Sequence, residues 1–135
     1  MKQLILALAM VGIFTAACFA VEAHAVKTRV PFDFTVGSTQ VPAGVYTVEP
    51  QGLPGVLMLR DSAGHVAAMF QINRLTSASE NPDPRLVFNK YGDRYFLARV
   101  WDASGTGSEL RKTKTERELL AFASVEQVLV AAFYR

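Results

Sequence analysis

Set aside residues 1–25, and His65 is the only histidine left in this sequence, with no cysteine beside it. Zinc sites draw three or four ligands from Cys, His and carboxylates, so this inventory assembles none of the usual sets and points to no metal or other cofactor. His65 reads as an exposed residue just past the turn Asp61-Ser62-Ala63-Gly64. Ser62 and Ser108 lie outside any Gly-x-Ser-x-Gly context. That context supplies the sharp strand-to-helix turn that exposes a serine nucleophile, so a Ser-His-Asp hydrolase has no foothold here.

Carboxylates are more plentiful, with Asp33, Asp61, Asp83, Asp93, Asp102, Glu116 and Glu118 among them. Two placed on either side of a scissile bond can act as acid and base, but no spacing in the chain selects a pair. Asp33 stands between Phe32 and Phe34, and strand alternation sends it to the polar face with Lys27 and Arg29. A surface ion pair accounts for it. Arg111, Lys112, Lys114 and Arg117 make a basic cluster, which Glu109, Glu116 and Glu118 dilute to a local net of +1. A nucleic-acid surface carries a larger excess and interleaved aromatic rings, so this cluster reads as a solvated helix face.

The set that best suits a ligand is Tyr95, Arg99 and Trp101, with Tyr91 nearby. In an extended strand Tyr95, Leu97, Arg99 and Trp101 point one way, and Phe96, Ala98 and Val100 the other. A guanidinium among aromatic rings can stack on them and hold an anionic or sugar-like molecule. The competing reading is packing, with the aromatic face under a helix and Arg99 paired to Asp93, Asp102 or Glu116.

These residues sit on the stretch Arg85 to Asp102, two aromatic-rich runs joined through a turn at Asn89-Lys90-Tyr91-Gly92-Asp93, which reads as a central β-hairpin. Both of its faces are largely apolar, so it needs cover on two sides. Val26 to Val36 alternates, with Val26, Thr28, Val30, Phe32, Phe34 and Val36 on the core face. Val45 to Glu49 pairs with it, and Val56 to Arg60 makes a second hairpin with His65 to Ile72, where Val66, Ala68, Phe70 and Ile72 line one face. Asn73 to Pro84 reads as an exposed loop and Ala103 to Ser108 as a flexible connection. Thr113-Lys114-Thr115-Glu116 matches a capping box and predicts a helix of two to three turns. Its Leu119, Leu120, Phe122 and Ala123 are expected to close one end of a barrel or cover a sheet face. Gln127 to Tyr134 is the last strand. The fold expected is mainly β: a small antiparallel barrel or sandwich of about seven strands, with one short helix before the last strand.

Residues 1–25 have the pattern of a leader. Lys2 is followed by an apolar run from Leu4 to Val21, and Ala23-His24-Ala25 fits the small-x-small cleavage pattern of a secretory signal peptide. An uncleaved anchor is the alternative, because the run approaches the length of a spanning helix. Lipidation at Cys18 is a third, against which Thr15 and Phe19 depart from the lipoprotein pattern. Cleavage leaves residues 26–135 as one β-rich domain of ordinary composition that can form no disulfide, at a net charge of +2. That charge argues for neither nucleic acid nor an anionic membrane as partner.

Four segments taken together, PFDFTVG, VPAGVYTV, YGDRYFLARVW and KTERE, are spread in that order along most of the chain after residue 25. They resemble an uncharacterised family of small exported bacterial proteins with no assigned function. The resemblance implies export and a single small β-rich domain, and it brings no active site. The function expected is an exported, non-enzymatic binding or interaction module, periplasmic or at the cell surface, whose partner is a cell-envelope component or another exported protein. The alternative is a small cell-envelope hydrolase using acidic residues.

Overall fold

The computed structural model describes residues 25–75 and 83–132. Residues 1–24, which hold Cys18 and nearly all of the expected signal peptide, lie outside the described residues. No helix among the described residues is long and apolar enough to cross a membrane.

Among the described residues ten strands and one helix follow one another: β1 (Val26–Val30), β2 (Phe34–Val36), β3 (Thr39–Val41), β4 (Gly44–Pro50), β5 (Val56–Asp61), β6 (Val66–Leu75), β7 (Arg85–Tyr91), β8 (Arg94–Trp101), β9 (Gly107–Leu110), α1 (Lys114–Phe122) and β10 (Val125–Ala131). The chain is mainly β, with its helix just before the last strand, as the sequence implies. It has more strands than the seven or so expected, for three local reasons. Pro31 has no N–H to give a ladder, so the first run splits; β1 pairs with β4, and β2 turns away to run parallel to β8 at Thr35↔Phe96. The parallel pair makes the sheet mixed rather than purely antiparallel. Past a tight turn at Gly37-Ser38 the chain forms β3, which pairs with β2. The connection after Trp101 is ordered, because Asp102 Oδ1 accepts from the amides of Ser104 and Thr106 at 2.9 and 3.1 Å, delivering the chain into β9. Asn73 to Leu75, expected in a loop, belong to β6, which pairs there with β9, and residues 76–82 of that expected loop lie outside the described residues.

Neighbouring strands run in the order β1-β4-β5-β6-β9-β8, with β7 beside β8 and β10 beside β7. β6 pairs with β5 through its first part and with β9 through its last four residues, so it belongs to both halves of the wall. The edges β1 and β10 meet at a single bridge, Thr28↔Ala132, where the buried Thr28 hydroxyl donates to the Ala131 carbonyl at 2.9 Å. One bridge is not a ladder, and the sheet is not closed into a barrel. The arrangement is sandwich-like, folded over one core.

That core takes Val26, Val30, Phe34 and Val36 from the first run, as the alternation predicts, with Val48, Leu59, Leu86 and Phe88 also almost fully buried. Phe34 meets Phe88 and Tyr46 edge to face at 5.2 and 5.5 Å between centroids, a geometry worth about 0.5–1.5 kcal/mol beyond the area it buries. At the centre, β7 and β8 pair from Arg85↔Trp101 to Tyr91↔Arg94 around a two-residue turn. Gly92 takes its first position at φ +65°, a conformation that a Cβ disfavours.

Two β-bulges change which residues face inward. Leu59 pairs with Ala68 and Arg60 with Val66, so Ala67 is an extra residue in β6. Ala67 packs against the core and Val66 is turned outward, 49% exposed, against the expectation that it joins Ala68, Phe70 and Ile72. In β8, Phe88 pairs with Leu97 and Val87 with Arg99, leaving Ala98 as the extra residue. A bulge bends its strand and raises the local twist, which lets a sheet curl over a core.

Candidate functional site

The bulge at Ala98 divides the set Tyr95, Arg99 and Trp101. Residues directly opposite in an antiparallel pair share a face, and Tyr95 pairs with Lys90 on the core side with Phe88 and Leu97. Its ring stacks on Phe32 at 3.8 Å and 15°, with the Lys90 ammonium 5.5 Å from the ring centroid. Arg99 and Trp101 are opposite Val87 and Arg85 on the outer face. Trp101 is buried there. A Cβ added to Gly107 would lie 2.6 Å from the indole, so only glycine lets the ring rest on the β9 backbone, and the Arg85 guanidinium stands 5.2 Å from the indole centroid. The three residues therefore form no common surface, because alternation skips a step wherever a residue is inserted.

Arg99 alone of the three reaches a polar site. It is half-buried, sits opposite Glu109 on β9, and lines a cleft of about 230 Å³ with Asn89, Tyr91, Lys112 and Glu116. Glu116 is the residue that organises this cleft. The helix begins as its capping box predicts, with Thr113 Oγ1 accepting from the Glu116 amide at 3.2 Å. The Glu116 side chain then turns into the sheet, 5% exposed, where its Oε1 accepts from Asn89 Nδ2 and from the Tyr91 hydroxyl, each at 3.3 Å. Burial, followed by the charge of Glu116 and the hydrogen bond to it, pushes the Tyr91 hydroxyl up to about 12, against a lowering contribution from Asn89. Near neutral pH Tyr91 is thus a donor held on a carboxylate.

The helix does not cover the sheet with its apolar residues, as was expected. Glu116 is its only buried residue, while Leu120 and Phe122 are 43% and 90% exposed, followed by exposed Val125 and Leu129 on β10. In the sequence Glu116 stands out only as a cap, and nothing marks Asn89 as part of a site. The signal available was the capping glutamate close in the chain to β9, but no local pattern says that its carboxylate is buried.

The other candidates serve turns. Asp33 Oδ1 accepts from the Ala43 amide at 2.8 Å, pinning the Pro42-Ala43-Gly44 corner rather than pairing with Lys27 or Arg29. Asp61 Oδ1 accepts from the amides of Ala63 and His65 at 3.0 and 2.8 Å. His65 is exposed, with Nδ1 3.7 Å from Asp61 Oδ2. Arg111, Lys112, Lys114 and Arg117 are exposed along and before the helix. Among the described residues no three His, Cys, Asp or Glu side chains are grouped to hold a metal ion. Compared with known proteins, the chain matches no family model, no curated protein and no solved structure.

Proposed function

We propose that this chain is an exported, non-enzymatic binding module that acts in the periplasm or at the cell surface on a cell-envelope component or another exported protein. The observation that carries this reading is the employment of the carboxylates. Asp33, Asp61 and Asp102 are tied to backbone amides of turns, and Glu116 is buried on Asn89 and Tyr91. A general acid or base must reach a substrate proton within hydrogen-bonding distance, and groups engaged in this way are not presented to one. Export is supported by the apolar N-terminal run with its Ala23-His24-Ala25 site, and by the four-segment resemblance to small exported proteins.

A second reading is favoured by one specific arrangement. Glu109 and Glu116 line the same cleft as Arg99, and a pair of carboxylates flanking a scissile bond is the equipment of a glycoside hydrolase acting on an envelope polymer. The chain, expressed in a bacterial host, separates the readings. Mass spectrometry of the exported protein is expected to find Val26 at its N-terminus, and the protein is expected to sediment with isolated cell envelopes without releasing soluble sugar. Release of reducing ends that stops in Glu109→Gln would replace the module by the hydrolase. Retention of residues 1–25 in the membrane fraction would replace free export by an anchor.

A further inference from the structure

The β2–β3 hairpin joins the rest of the sheet through the parallel pair Thr35↔Phe96, and open clefts lie on both sides of it. One, of about 430 Å³, runs between Asp33, Gln40 and the Asp93-Arg94 corner of the central hairpin. The other, of about 450 Å³, runs between Ser38, Arg94 and the threonines that open α1, Thr113 and Thr115. Thr35, Gln40 and Arg94 line both, so the clefts share a wall. Each falls in the range of roughly 300–1,000 Å³ in which small-molecule sites are found.

Arg94 is the group common to the two spaces that carries a charge. Its guanidinium stands 5.3 Å from the centroid of Phe96, whose ring is buried, and among the described residues it is paired with no carboxylate, although Asp93 precedes it in the chain. A guanidinium braced on an aromatic ring keeps its planar fork of donors available for an oxyanion. Around it the lining is rich in hydroxyls on one side, Ser38 and Thr115 among them, and in hydrogen-bond acceptors on the other, Asp33, Asp93 and Gln40. The two carboxylates repel a polyanion and match a molecule that brings many hydroxyl donors and a single negative charge.

We propose that the clefts meeting at Arg94 form one binding site for an acidic saccharide. Its carboxylate is held by Arg94 with the hydroxyls of Ser38 and Thr115, and its ring hydroxyls donate to Asp93 and accept from or donate to Gln40. This rests on the binding-module reading and supplies its ligand class.

The test is titration of the chain, followed by two-dimensional amide NMR, with D-glucuronate, D-glucose and inorganic phosphate as probes. Glucuronate is expected to move the amides of Thr35, Gln40, Arg94 and Thr115. Arg94→Ala is expected to weaken it about tenfold or more, as the loss of a charged hydrogen-bonding partner does, and Asp93→Asn a few-fold. Glucose and phosphate are expected to bind at least about tenfold more weakly than glucuronate, since each supplies half of the match. Arg94 is exposed, so circular dichroism of Arg94→Ala should be that of the parent. Phosphate binding as tightly as glucuronate would reduce the site to an anion contact, and glucose doing so would remove Arg94 from recognition; either overturns the proposal. So does glucuronate binding that Arg94→Ala leaves intact, or the absence of any shift. Sedimentation with envelopes keeps the two ideas apart: a chain that sediments yet ignores glucuronate remains a binding module without this site, and a chain that does neither loses both.

Discussion

On the inner face of β7 and β8, Leu86, Phe88, Leu97 and Val100 pack into one apolar cluster with Val26, Val30, Phe34 and Val36 from the first β-run. On the outer face the same strands present Asn89 and Tyr91 to one carboxylate lowered from α1, with Arg99 lining the same cleft and Trp101 closed off at the far end by Gly107 and Arg85. The inner face is held by apolar area, which is indifferent to protonation and tolerant of small displacements. The outer face depends on a few directional bonds that fail together if Glu116 moves. One hairpin thus carries both a pH-insensitive anchor and a polar seam, and each can be broken without breaking the other.

The largest effect belongs to the inner face. Phe88→Ala is expected to cost about 3–5 kcal/mol in chemical denaturation, because a fully buried ring is lost and the cavity between Phe32 and Phe34 cannot collapse. A loss below about 1 kcal/mol would mean that the aromatic cluster is not the centre of the core. Next comes the seam. Glu116→Ala strands the buried donors of Asn89 and Tyr91 and should cost about 1–3 kcal/mol, with Glu116→Gln losing less because an amide oxygen still accepts. Equal losses for the two would show that the contribution is one of packing.

The seam also answers to alkali. Tyr91 has its hydroxyl raised from 10.0 to about 12 in the fold, so its contribution is complete below pH 10. It is lost as the pH climbs toward 12, where the unfolded chain releases the proton first. Tyr46 is shifted in the same direction, by burial first and then by Asp61 and Asp33. Denaturation midpoints should therefore fall above pH 10 in the parent and fall less in Tyr91→Phe. A Tyr91→Phe curve parallel to that of the parent would detach the hydroxyl from stability. Arg99→Ala is expected to cost about 1 kcal/mol, mostly from its stem, since it is half-buried beside Val87 and Glu109. Smallest of all is Phe122→Ser, within about 0.5 kcal/mol, because the ring is 90% exposed. A larger loss in Phe122→Ser would place that ring in a contact that the outer face does not show.

Much of this contrast is legible in the order of the amino acids. The alternation of Val26, Thr28 and Val30 marks an inward face because every second side chain of a strand points the same way. Gly92 marks the central turn because the first position of that hairpin needs a positive φ, and Thr113 with Glu116 marks the helix start because cap and amide are three residues apart. Each of these depends on neighbours in sequence, so local chemistry determines it.

The remaining features arise from long-range packing. Ala67 and Ala98 become bulges because of what their partner strands offer opposite them, and no residue type at those positions announces an unpaired step. Those two steps turned Val66 outward and parted Tyr95 from Arg99 and Trp101, undoing the face on which a ligand site was expected. Glu116 looks like any solvated cap in the sequence, and it is buried only because β7 sets Asn89 and Tyr91 beneath the first turn of α1. The polar cleft and the space around Arg94 are likewise made by elements distant in the chain, since a cavity is a property of surfaces brought together and local patterns carry no record of it.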